Sequence, residues 1–128
     1  MFGWFKKGSP PAAGPDFTAV DSQAKAQELA RLGQLQKVLL LPAEFGGEDV
    51  PPNCVFVPAW VAEKKAETDR NVIRPLAEAG KISRYSARPA YQDKSFVPNA
   101  ITIEASDPGS FTMTIAIWGD ALENDREP

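Results

Sequence analysis

The chain contains no histidine. That removes the commonest general base, the usual partner of a serine or cysteine nucleophile, and the commonest metal ligand. Catalysis by Asp, Glu, Lys or Tyr alone stays open. Cys54 is the one cysteine, so no disulfide can close within the chain and no Cys/His zinc site can form in it. Its setting, Cys54-Val55-Phe56-Val57, predicts a buried, inert thiol. There is no long apolar run, and the N-terminus lacks the apolar stretch of a secretory signal. No internal repeat is visible. The Gly46-Gly47 pair lacks the Lys-Ser/Thr ending of a phosphate-binding loop. These absences read as a cytoplasmic protein that works without a cofactor.

What is present is a globular composition. Of 128 residues, 43% are hydrophobic and 24% charged, and at this length one core can bury about 65% of the unfolded surface. The clearest element is residues 101–118. Ile101, Ile103, Ala105, Phe111, Met113, Ile115 and Ile117 alternate with Thr, Glu and Ala, the period of a half-buried strand. Between the arms, Ser106-Asp107-Pro108-Gly109-Ser110 supplies turn chemistry, with Gly109 free to take positive φ. The pattern predicts a C-terminal β-hairpin.

Before it, residues 24–32 read as a helix capped by Asp21 or Ser22 and stopped at Gly33. Lys37-Val38-Leu39-Leu40-Leu41 reads as a strand buried on both faces, and Val55-Phe56-Val57 as a second. Residues 59–79 read as a helix whose inward line is Ala62, Ala66, Ile73 and Leu76, with Asp69 interrupting it. Pro75 cannot donate to the Asn71 carbonyl, so a kink is expected near Arg74. Residues 81–88 alternate as a strand that Pro89 should end. The expected fold is α+β, a single domain with a five-stranded, largely antiparallel sheet. Two helices pack on one face in the order α-β-β-α-β-β-β. Its domain spans 18–118, between a flexible tail at 1–17 and an acidic, disordered tail at 119–128. The expected core is Leu29, Leu32, Val38, Leu40, Val55, Val57, Ile73, Leu76, Tyr85, Ile101, Ile103, Met113, Ile115 and Ile117.

Charge is uneven: residues 58–94 hold eight cations against five carboxylates, a net +3, while the whole chain is −3. Basic groups among Tyr85, Tyr91 and Phe96 fit a weak nucleic-acid or phospholigand surface. A pI near 5.0 favours instead a solvated helix face with local pairs such as Lys65–Asp69. Glu44, Glu48 and Asp49 flank the flexible Gly46-Gly47 and are the only metal-ligand candidates, at no known coordination spacing. With Asp69, Tyr85 and an arginine they are also the best enzymatic set. Phe2, Trp4, Phe5, Lys6 and Lys7 fit a weak membrane contact. The favoured function is a small, non-enzymatic protein-binding module of the accessory, adaptor or inhibitor kind. Phe45 and Phe96, in loops 42–53 and 89–99, would anchor its recognition surface beside Tyr91. Arg84 and Arg88 would supply charge at the rim. The partner would be another protein, with a second copy of the chain as the alternative.

Overall fold

The computed structural model describes residues 16–122. The hairpin forms as its alternation requires: β4 (Ala100–Ser106) pairs antiparallel with β5 (Ser110–Ala116), Ile101 opposite Ile115 and Ile103 opposite Met113. Ile101, Ile103, Ala105 and Ile115 are buried on one face. On the other, the Thr102 and Thr114 hydroxyls meet at 3.1 Å. In the turn it is Asp107, not Gly109, that takes positive φ, at 73°. Gly109 serves close approach instead: its N–H donates to the Lys81 carbonyl at 2.8 Å, and a Cβ there would lie 2.8 Å from that oxygen.

The expected single five-stranded sheet is not what forms. Two antiparallel sheets share the strands: β1 (Gln36–Leu39) with β2 (Cys54–Val57), and β3 (Arg84–Ala90) with β4 and β5. The register of β1 is half-exposed rather than buried on both faces. Asn53 helps to end the small sheet, its Oδ1 accepting from Leu41 N–H and its Nδ2 donating to the Leu41 carbonyl. The strand β3 runs through Pro89, which lies opposite Ile101. As an edge strand it can hold a residue without an N–H. The intervening loop 42–53 contains two short 3₁₀ turns, Ala43–Phe45 and Pro51–Asn53.

Helix α1 (Gln23–Arg31) starts at Ser22, whose side chain accepts from Lys25 N–H. It ends one residue before Leu32, which is 54% exposed; Leu35 is buried in its place. Helix α2 (Ala59–Thr68) passes into a π turn (Asp69–Ile73), closed by Arg74 N–H to the Asp69 carbonyl, and then into α3 (Arg74–Glu78). The wider turn ends just before Pro75, where an N–H for the Asn71 carbonyl is missing. It is the distortion expected near Arg74. The helices do not share one sheet face: α1 contacts β2, while α2 contacts both β1 and β5 and so bridges the two sheets.

The line α2 turns inward is shifted from the expected one. Val61, Lys65, Thr68, Asp69 and Ile73 are buried, while Ala66 is exposed. The core also takes in Val20, Ala26, Ile82, Val97 and Trp118, beside Ile117, which is buried as expected. The Trp118 indole N–H donates to the Val97 carbonyl at 3.0 Å. Phe17 meets Trp118 edge-on at 6.1 Å, and Asp120 N–H donates to Gln92 Oε1. Residues at both boundaries of 18–118 thus lie against the domain. The aromatic and basic residues of 1–7, and residues 123–128, lie outside the described residues.

Candidate functional site

Among the described residues two places stand out by their chemistry. The first is a polar cluster where α2 meets both sheets. Lys65 and Asp69 are one helical turn apart, and their side chains are 2% and 5% exposed. Lys65 Nζ donates to Asp69 Oδ2 at 2.7 Å and to the Tyr85 hydroxyl at 3.1 Å. Tyr85 donates to Asp69 Oδ1 at 2.8 Å. Its single proton is used there, so the Leu40 carbonyl at 3.4 Å is a contact rather than a second bond. Lys65–Asp69 is therefore a buried pair, not a solvated surface pair. Burial lowers the Lys65 pKa against the opposing bond and charge of Asp69. Burial, then the charge and hydrogen bond of Asp69, push the Tyr85 hydroxyl well above its ordinary value. The phenol stays protonated, and Asp69 and Tyr85 spend their polar capacity on each other and on Lys65.

The second place is a groove of 320 Å³ over the small sheet. Cys54, Val55 and Phe56 of β2 line it, with Gln23 and Gln27 of α1 and with Tyr91 and Phe96 from the loop after β3. Tyr91 and Phe96 are 51% and 45% exposed. Phe96 is held by its backbone N–H to the Val20 carbonyl at 2.7 Å, and Ser95 Oγ donates to the Phe17 carbonyl. Leu40 N–H bonds the Asn53 carbonyl, so the antiparallel alternation makes Val38–Val55 and Gln36–Val57 the bonded pairs. Phe56 then turns its N–H and C=O toward the outer edge of β2, where no backbone partner meets them among the described residues.

At the groove's rim Lys37 Nζ holds both Asp49 oxygens, at 2.9 and 2.8 Å, and the Cys54 thiol donates to Asp49 Oδ1. Desolvation and the neighbouring Asp49 push the Cys54 thiol up, away from reactivity.

The residues singled out from the sequence divide among separate places. Tyr91 and Phe96 come together at the groove. Phe45 packs against the core with its ring 5.5 Å from that of Tyr85, and lines a different depression with Arg84. Arg84 pairs with Asp107 and Arg88 with Glu104 on the outer face of the larger sheet. One surface flanked by Phe45 and Phe96 is not assembled. The acidic loop does not converge either. Glu44 is bound by Arg74, at 2.6 Å, and Asp49 by Lys37. No group of three or more metal-ligating side chains gathers among the described residues. Of the enzymatic set, Asp69 and Tyr85 do meet, without Glu44, Glu48 or Asp49.

The sequence reading missed Lys65 as an interior group and Gln23, Gln27 and Phe56 as groove residues. The only signal for Lys65 was its helical spacing between Val61 and Thr68. Among the described residues no helix is long and apolar enough to cross a membrane. Comparison with protein-family models, curated proteins and solved structures finds no match in any of the three.

Proposed function

We propose that this chain is a small, non-enzymatic protein-binding module that takes an extended, apolar segment of a partner protein along the outer edge of β2. The observation that carries the reading is that two exposed aromatics, Tyr91 and Phe96, share one groove with Phe56, whose backbone groups have no backbone partner among the described residues. Strand addition would gain main-chain hydrogen bonds, and the aromatic rings would select apolar side chains at alternate positions. Gln23 and Gln27 also line the groove, with side-chain amides suited to hydrogen bonds with peptide groups. Against a catalytic role stands the closure of the Lys65–Asp69–Tyr85 cluster, in which Lys65 is 2% exposed. A single cysteine with no partner for a disulfide in the chain suits a reducing compartment, and we place the module in the cytoplasm.

The test is selection from a displayed library of unstructured peptides, followed by affinity measurement on the selected sequences. Phe96→Ala and Tyr91→Ala should keep the fold, because both side chains are about half exposed, and should each weaken binding by at least about 1 kcal/mol. A library that yields no binders, or binders indifferent to both substitutions, would sink the reading.

A further inference from the structure

A further depression, of 330 Å³, lies between β1 and α2. Its apolar lining comes from Val38, Leu39, Ala62 and Ala66. Around that lining stand Lys37, Lys65, Arg70 and Arg74, against the carboxylates of Glu44 and Asp69. Asp69 is committed to Lys65 and Tyr85. Lys37 is held from outside by Asp49, and Arg74 donates through Nε and Nη2 to a single oxygen of Glu44. Arg70 has no carboxylate within 4.0 Å among the described residues. Even with Asp49 counted, the four cations exceed the three carboxylates by one. Arg70 sits in the π turn that ends just before Pro75.

We infer that this depression binds a small organic anion, its phosphate or carboxylate head on Arg70 and Arg74 and its apolar body on Ala62, Ala66 and Val38. Guanidinium groups match planar and tetrahedral oxyanions with paired N–H donors. An apolar floor strengthens such contacts by lowering the local dielectric. Glu44 is 39% exposed and competes for Arg74, so the ligand head takes the position that the Glu44 carboxylate now holds.

The experiment is an amide-resolved NMR titration of the full chain at constant ionic strength, with inorganic phosphate, phenyl phosphate and benzoate as probes. Phenyl phosphate or benzoate should give saturable shifts at Leu39, Ala66 and Arg70. Arg70→Gln should weaken that binding about tenfold, as expected for loss of a charge-assisted contact. Glu44→Gln should tighten it by removing the competitor. Arg84→Gln, a charge-matched change on the outer face of β3, should leave it unchanged. Absence of saturable shifts with all three probes overturns the inference, as does an equal loss in Arg84→Gln. Inorganic phosphate binding as tightly as phenyl phosphate overturns the organic-anion assignment. Phe96→Ala and Tyr91→Ala lie outside this depression, so the peptide groove and the anion site stand or fall separately.

Discussion

Lys65, Asp69 and Tyr85 form a closed set in which removal of one member strands the others. Taking away the partner of a buried charge costs about 3–5 kcal/mol, because the remaining ion keeps its desolvation penalty and loses its compensation. Asp69→Ala should therefore destabilise the domain by about that amount in urea unfolding. Lys65→Met, Asp69→Leu and Tyr85→Phe combined should recover most of it, since an apolar replacement leaves nothing unpaired. A triple variant no more stable than Asp69→Ala would show that the cluster does more than satisfy itself.

The same residues set an alkaline dependence. The Tyr85 hydroxyl is raised above 10.0 by burial and by Asp69, so the folded state keeps a proton that the unfolded chain releases. Its contribution is present below pH 10 and is lost as the pH rises above it. Lys65 acts in the opposite sense. Its folded value lies below 10.5, so stability from that group rises as the pH approaches 10.5. The two groups oppose each other up to pH 10.5, and above it only the loss from Tyr85 continues. Between about pH 9 and pH 11, Tyr85→Phe should lose less stability than the parent chain. Equal losses would mean that Tyr85 does not hold its proton on folding.

At the scale of elements, the hairpin rests on a face choice that one residue reverses. Ile115 is 4% exposed and lies opposite Ile101, so Ile115→Asp buries an unpaired charge and should abolish cooperative thermal unfolding. Thr114 points outward toward Thr102, and Thr114→Lys should melt near the parent temperature. Similar melting curves for the two variants would contradict the register.

Helix α2 shows what an alternation rule cannot reach. A charged pair at i and i+4 is ordinarily placed on the solvent side of a helix, and only burial by β3 and β5 turned this pair inward. The short strands β1 and β2 were legible as strands, but not as a separate sheet. Nothing local specifies which edges remain unpaired.

At the scale of the whole molecule, every buried hydrophobic among the described residues falls between Val20 and Trp118. Deleting residues 1–15 and 123–128 should change stability by less than about 1 kcal/mol, measured as the shift in urea midpoint. A larger drop would show that Phe2, Trp4 or Phe5 contributes a docked element.

The sequence by itself determined the α+β class, the order of helices and strands, the hairpin and its buried face, and the disturbance before Pro75. Each of these depends on backbone chemistry or on a repeat of two or 3.6 residues, and both are local. The tertiary structure decided the division into two sheets, the burial of Lys65 against Asp69 and Tyr85, and the meeting of Tyr91 and Phe96 with β2 in one groove. It also left Phe45 against Tyr85, away from Phe96. These are distances between residues far apart in the chain, and they are settled by how the two sheets close on α2.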